Sequence, residues 1–406
     1  MQMVADGANG ARHELDRFRV LVLNDGALQA ALGTIDDIAQ FVERTVAAAR
    51  ARAIALAADD LTPFLRPDPL GLERLVAAPL AAPSPLQKGW LPIQMFGQGD
   101  RLAVDWAYFG DRRLSEPFYE DSIRQILRRP FNRLFRFRTP LPDLARWSHE
   151  LPVLQPSGFI FHMSRCGSTL AAQMLGALPQ NIVVSEASPI DAVVQLCRVR
   201  NDERNTALLT AMIAAFGQMR GGGERHYFVK LDSWHTLALP WFRRAFPSVP
   251  WVFLYRDPLE VLVSQAWQRG TQMVPEFFPP PFYDLQLPGG VPDEDYCARV
   301  LAKICDAVLE AFPKGNGLLV NYRQLPEALA TAILPHFGVA YSASEHDVMA
   351  EKARYNAKSP SETFAPDSIS KQRATTAAMR TAVDRHLAES YRRLEALRLG
   401  QTAGKT

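Results

Sequence analysis

Gly158-Phe-Ile-Phe-His-Met-Ser-Arg-Cys-Gly-Ser-Thr-Leu170 is the stretch on which the fold turns. Gly158 to Met163 reads as a short buried strand, because Phe159, Ile160 and Phe161 run together and favour β structure. Ser164 to Gly167 reads as a turn. From Ser168 the pattern becomes helical, with Leu170, Met174, Leu175 and Leu178 on one face. A strand, a tight polar turn and a helix beginning Ser-Thr make an anion-binding construction. The first-turn N–H groups have no intrahelical acceptor, and the helix dipole is positive at that end. Arg165 adds a fixed charge and a planar donor fork. The loop is not a Walker A loop, since it has one Gly and no Lys. It is not a phosphatase loop, since Ala172 stands six positions after Cys166 where an Arg is needed. Alone, such a stretch is also what an ordinary strand-to-helix junction looks like, so its meaning depends on partners elsewhere.

The 406 residues carry 45 basic and 43 acidic side chains, for a net charge of +2, which gives no reason to expect nucleic acid or an anionic membrane as main partner. With 48% hydrophobic residues the chain can bury a large core. Cys166, Cys197, Cys297 and Cys305 show neither a C-x-x-C pair nor zinc spacing, and suit a reducing compartment as free thiols. Met1 to Arg19 has no apolar signal core, and no run of about 18 apolar residues occurs. These features read as a soluble cytoplasmic protein.

Residues 1–75 read as a small helical domain. Phe18, Leu21, Leu28, Leu32, Ile35, Ile38, Phe41, Val42 and Val46 recur at helical spacing. Thr34 is placed to cap a helix, with Asp36 and Asp37 in its first turn, and Asp59-Asp60-Leu-Thr-Pro63 reads as a turn before a short helix. This order resembles the helical leader domains of bacterial peptide natural-product precursors, which implies docking of a peptide; a generic helical hairpin has the same spacing. Residues 76–150 read as a linker and an α+β connecting region. Leu75 to Pro92 is rich in Ala and Pro, Leu102 to Phe109 is one strand, and Pro117 to Arg129 is a helix. Arg128, Arg129, Arg133, Arg136 and Arg138 interleave with Phe131, Phe135 and Phe137, a pattern that reads as a solvated face above a Phe stripe rather than a nucleic-acid patch.

Residues 151–406 read as one α/β domain. Strands are expected at 158–163, 181–184, 226–231, 250–255 and 317–320, and helices at 168–178, 190–197, 237–246, 259–269, 294–312, 327–337 and 375–399. That alternation predicts a central parallel sheet flanked by helices, whose ligands sit at the strands' carboxyl ends. Arg165, Glu186, Lys230 and Arg256 all fall there.

Ser164-Arg-Cys-Gly-Ser-Thr-Leu170 resembles the 5′-phosphosulfate loop of sulfotransferases that use 3′-phosphoadenosine 5′-phosphosulfate, in the form found in tyrosylprotein, carbohydrate and many bacterial members. Tyr255-Arg-Asp-Pro-Leu-Glu-Val-Leu-Val-Ser264 is similar to their second signature, R-x-P-x-x-x-x-x-S. The resemblance covers roughly residues 155–340. It implies a P-loop NTPase-like fold and sulfuryl transfer to a hydroxyl on a small molecule, carbohydrate or peptide. It implies that Ser164, Arg165, Cys166, Gly167, Ser168, Thr169 and Leu170 hold the 5′ end of the nucleotide, and that Arg256 and Ser264 hold its 3′-phosphate. Glu186 stands where the tyrosylprotein enzymes carry a catalytic Glu, and is expected half buried with its pKa raised toward the working pH; a helix-starting charge before Pro189 is the other reading. Lys230 either touches the transferred group or is a surface residue at a strand end. Cys166 sits where a helix dipole would lower a thiol pKa, and its amide is the part expected to matter. Ser370-Lys371 resembles the Ser-Lys of the family's late loop over the nucleotide, without the R-K-G-x-x-G form. Asn321-Tyr-Arg-Gln-Leu325 resembles the family's Tyr-Glu-x-Leu with Arg323 in place of Glu. Such transfer requires no divalent metal. The aromatic insertion 275–290 reads either as a border of the acceptor pocket or as a disordered loop. Two other readings compete: a P-loop kinase with Asp257 as a magnesium-side carboxylate, and a non-catalytic nucleotide-binding scaffold that recruits a peptide.

Overall fold

Helical spacing and side-chain caps cut the N-terminal region into four helices. The computed structural model describes residues 2–66, 88–97, 102–147, 152–200, 204–275, 277 and 291–403. It opens with α1 (Gln2–Leu23), α2 (Gly26–Gly33), α3 (Ile38–Arg50) and α4 (Ala58–Leu65). Leu15, Phe18 and Val22 form the buried stripe of α1. Asp25 caps α2, accepting from the amides of Ala27 and Leu28 at 3.0 and 3.1 Å. The cap of α3 is Asp37, not Thr34. Asp37 has the extended backbone that folds its carboxylate onto the Gln40 amide at 2.7 Å, whereas Thr34 keeps helical torsions as the C-cap of α2. Asp59 and Asp60 are not a turn but the first turn of α4, where their charges suit the helix dipole.

Three antiparallel strands follow, β1 (Trp90–Phe96), β2 (Ala103–Tyr108) and β3 (Phe137–Pro140), with α5 (Tyr119–Arg128) and α6 (Pro130–Phe135) between the last two, and then α7 (Leu141–Trp147). The Arg/Phe run spans α6 and β3. Phe131, Phe135 and Phe137 are buried as expected, but the arginines do not make a solvated face: Arg136 is only 4% exposed. Arg138 pairs with the buried Asp105 at 2.5 Å, Arg129 with Asp36 at 3.0 Å, and Arg133 donates to the Leu65 carbonyl at 3.0 Å. Local pattern cannot show such pairing, because the partners are 33 to 93 positions away. Residues 75–87 of the expected linker at 75–92 lie outside the described residues, and its end is not linker: residues 90–92 open β1, where Trp90 and Leu91 are buried.

The chain continues through β4 (Gly158–His162), α8 (Ser168–Gly176) and β5 (Asn181–Ser185) to α9 (Ser188–Arg200) and α10 (Arg204–Phe216). It divides into two compact units, one of Met1–Gln155 with Ala187–Arg225 and one of Pro156–Glu186 with His226–Thr406. Gln218 ties the later segment into the first unit. Its side chain donates to the carbonyls of Trp90 and Ala215 at 2.8 and 3.0 Å and accepts from the Gly89 amide at 3.1 Å.

The second unit continues with β6 (His226–Lys230), a 3-10 turn at Ser233–Ala238, α11 (Leu239–Ala245), β7 (Trp251–Tyr255), α12 (Pro258–Trp267), α13 (Asp293–Ala311) and β8 (Gly317–Asn321). Its five strands are all parallel, in the order β5-β6-β4-β7-β8. β4, β5 and β7 are buried at every position, so both faces of the sheet are covered. The fold is therefore the expected parallel sheet flanked by helices. From β4 the chain crosses to one edge and from β7 to the other, so the crevice at their carboxyl ends is a topological switch point.

Helices α14 (Leu334–His336), preceded by a π-turn at Leu329–Ile333, and α15 (Ala343–Lys352) lead to a small hairpin, β9 (Tyr355–Asn356) and β10 (Ser359–Thr363), then α16 (Ser368–Arg373), α17 (Ala377–His386) and α18 (Ala388–Ala403). The polar 355–371 segment thus has structure that its lack of a core pattern hides. The expected single helix 375–399 is two, broken at the buried Leu387, whose φ of −124° leaves the helical region. The aromatic insertion falls on residues 276 and 278–290, outside the described residues.

Gln218→Leu keeps the bulk but leaves the Gly89 amide and the Trp90 carbonyl without their partner. The expected loss is about 1–3 kcal/mol, read as a lower urea midpoint for the first unit. An unchanged midpoint would remove Gln218 as the tie.

Candidate active site

The turn after β4 is held in torsions that side chains avoid. Ser164, Arg165 and Gly167 have φ of 81°, 51° and 85°. Left-handed non-glycine residues cost of order 1–3 kcal/mol each and cluster where a site demands them. Gly167 is required twice, by its torsion and by space: a Cβ there would lie 2.8 Å from both Leu325 Cδ1 and Tyr322 Cδ2. Cys166 between them is fully buried and its thiol donates to the Leu254 carbonyl at 3.0 Å. Burial pushes its pKa up to about 11, so the expected lowering by the helix dipole is overturned and the group is an inert thiol. Ser168 and Thr169 begin α8, buried at 4% and 7% exposure, and Leu170 follows them into the core.

Ser164 is fixed by three neighbours. Its amide donates to His162 Nδ1 at 3.1 Å, and its hydroxyl accepts from Gln265 and Gln272 at 3.0 and 3.1 Å. The first bond sets the histidine tautomer. With Nδ1 accepting, the imidazole proton sits on Nε2, which lies 3.3 Å from Glu186 Oε1. Burial lowers the His162 pKa against the pull of Glu186, so the ring is neutral.

Glu186 ends β5 with φ of 50°, while its amide still donates to the Lys230 carbonyl at 2.8 Å. That torsion turns the carboxylate onto Lys230 Nζ as well as His162. Lys230 is 1% exposed, so it is a buried cation and not a surface residue. Burial favours the neutral carboxyl, but the charge of Lys230 and the nearby His162 outweigh it and hold the pKa well below the usual range. The expected upward shift of Glu186 is therefore reversed. Arg165 completes this end of the crevice, its guanidinium donating to the Gln268 side chain at 3.1 Å and to the Gln268 carbonyl.

Lys358 was not legible as a site residue. It lies at the turn of the β9–β10 hairpin. Desolvation among protein groups comes first, and the charges of Arg165 and Lys230 add to it, pushing its pKa down to about 8 against the pull of Glu186. Three cations thus stand over one carboxylate, a net charge that suits an anionic group.

The second cluster lies at the carboxyl end of β7. Arg256 Nε donates to Glu260 at 2.6 Å, and Nη2 donates to Asp367 at 2.6 Å and to Ser368 Oγ at 3.1 Å. The Tyr322 ring lies 4.0 Å from its Cζ. Tyr322 therefore touches Arg256 and closes against Gly167, joining the two clusters. Lys371, 4% exposed, pairs with Asp367 at 2.6 Å. Ser264 lies two turns along α12, and among the described residues no hydrogen bond joins it to Arg256. Asp257 caps α12, accepting from the Leu259 and Glu260 amides at 3.0 and 3.3 Å. No helix among the described residues is long and apolar enough to cross a membrane.

Two measurements check these assignments. The native protein, whose four cysteines are all free and buried, should show no fast-reacting thiol at pH 8, and rapid alkylation of Cys166 would contradict the buried pair with Leu254. The depressed pKa of Glu186 adds stability that is complete above its ordinary value of 4.5 and lost as pH falls. Lys230→Met removes the partner and should cost about 3–5 kcal/mol at pH 7. The buried carboxyl then titrates upward, so this variant should gain stability relative to wild type as pH falls from 7 toward 4; parallel pH profiles would refute the pair.

No protein-family model matches the chain, and no curated protein matches it. Among solved structures it is similar to the sulfotransferase domain from the curacin biosynthetic pathway, at 13% identity and a TM-score of 0.37, covering 58% of this chain and 98% of that one. It is also similar to a sulfotransferase from Alicyclobacillus acidocaldarius, at 15% identity and a TM-score of 0.37, covering 61% and 96%. A third is the sulfotransferase domain from the Synechococcus PCC 7002 olefin synthase, at 15% identity and a TM-score of 0.36, covering 60% and 94%. At these identities and TM-scores no residue role is transferred from them.

Proposed function

We propose that this protein is a sulfotransferase that moves the sulfuryl group of 3′-phosphoadenosine 5′-phosphosulfate to a hydroxyl acceptor. The observation that carries the reading is the meeting, at one end of a parallel sheet, of the left-handed 164–167 turn with Lys230, Glu186 and Lys358. The start of α8 and three cations suit a phosphosulfate, and one ionised carboxylate beside them suits the hydroxyl that attacks it.

In this mechanism Arg165, Lys230 and the α8 amides neutralise the donor's 5′-phosphate, the leaving group. The acceptor oxygen attacks sulfur in line as the bond from sulfur to the bridging oxygen breaks. Glu186 takes the hydroxyl proton, and 3′,5′-diphosphoadenosine leaves with the electron pair. A strongly acidic carboxylate is a weak base, but its acidity comes from Lys230. As Lys230 turns its charge to the donor, the proton affinity of Glu186 rises at the step that needs it. Neutral His162 holds the carboxylate in place. Arg256, Ser264 and Lys371 are assigned to the 3′-phosphate. The kinase reading is disfavoured because the Asp257 carboxylate is engaged as the cap of α12. The four cysteines, none in a disulfide, favour a cytoplasmic site of action.

Calorimetric titration tests the donor: 3′,5′-diphosphoadenosine should bind and ATP with magnesium should not, and the reverse would overturn the reading. Glu186→Gln should lower sulfate transfer by about 100-fold or more while nucleotide affinity stays within a few-fold. The acceptor is found by incubating a cell extract with protein and labelled donor and looking for a sulfate mass gain.

A further inference from the structure

The charge balance around Arg256 does not match a ready anion site. Arg256 and Lys371 face Glu260 and Asp367, so two cations meet two carboxylates and the cluster is neutral. The two carboxylates are held very differently. Glu260 is 3% exposed on α12, and its oxygens also accept from Ser368 Oγ at 3.0 Å and Gln372 Nε2 at 3.1 Å. Asp367 has a side chain 40% exposed, and it precedes the short helix α16. An Asp at that position ordinarily caps its own helix. Here the side chain makes no cap hydrogen bond, and both its oxygens face outward to Arg256 and Lys371.

We propose that Asp367 is a displaceable stand-in for a ligand phosphate, occupying the position on Arg256 and Lys371 that a phosphate monoester takes by exchange. This rests on the reading above, in which the second phosphate of the nucleotide belongs at Arg256. When Asp367 swings away, Arg256 Nη2 and Lys371 Nζ are left as converging donors, and the cluster becomes net positive. The freed carboxylate then has the unbonded first-turn amides of α16 within reach as a cap. Glu260 stays, orienting the guanidinium through its Nε edge. Asp367 thereby sets the affinity for the nucleotide's second phosphate without touching its 5′ end.

The test uses the full chain and Asp367→Asn, which keeps size and removes charge. Expected are about tenfold tighter binding of 3′,5′-diphosphoadenosine and tighter binding of inorganic phosphate, with adenosine 5′-monophosphate unchanged. In the ligand-free variant, amides 368–373 should exchange faster, because the start of α16 loses its charged tie to Arg256. Lys371→Met should weaken both phosphate probes. Equal or weaker binding of the probes by Asp367→Asn, or unchanged exchange at 368–373, overturns the proposal. If phosphate binding tightens in Asp367→Asn while neither protein binds the nucleotide, the exchange stands and the nucleotide reading falls. If neither protein binds either probe, both fall.

Discussion

A parallel sheet buried on both faces can bring polar chemistry together only where its strands end. β4, β5 and β7 are buried along their length, and their backbone groups are satisfied within the ladder. Arg165, Glu186, Lys230 and Arg256 all stand at or just past the carboxyl end of a strand. Because β4 and β7 lie side by side while their helices leave in opposite directions, the turn at 164–167 and Arg256 open onto one crevice. Tyr322, from the end of β8, closes the distance between them by packing on both.

Within that crevice each charge is set by its neighbours. Lys230 is buried with Glu186, and the pair forces an ionised carboxylate where burial alone would favour a neutral one. The tautomer of His162 follows from one backbone bond, and its Nε2 lies 3.3 Å from the same oxygen. At Cys166, one residue from Arg165, burial outweighs nearby amides and cations and the thiol stays protonated. At the other end Arg256 is saturated by Glu260, Asp367 and Ser368, so a basic residue at a strand end is not by itself an open anion site.

The sequence made the strand–turn–helix and the alternation of strands and helices legible because both are written in local spacing. The residues at the strand ends were legible for the same reason: where a strand stops, its next side chain lies at the edge. Protonation and partnership were not. Arg256 and Asp367 are 111 positions apart and Lys230 and Glu186 are 44 apart, and no local pattern couples them. Lys358 was missed because its hairpin is polar and short, and only folding carries it to the turn after β4. The break at Leu387 was missed because no Gly or Pro marks it between Thr375 and Leu399.

By itself the sequence determined the parallel α/β architecture, the strand–turn–helix form of the 158–170 stretch and the side chains available at the sheet's edge, since these depend on residue type and short-range period. Tertiary structure alone decided which of those groups are charged, which are already paired and which face a ligand. Those properties depend on burial and on distances between segments far apart in the chain, as the opposite fates of Cys166 and Glu186 within one crevice show.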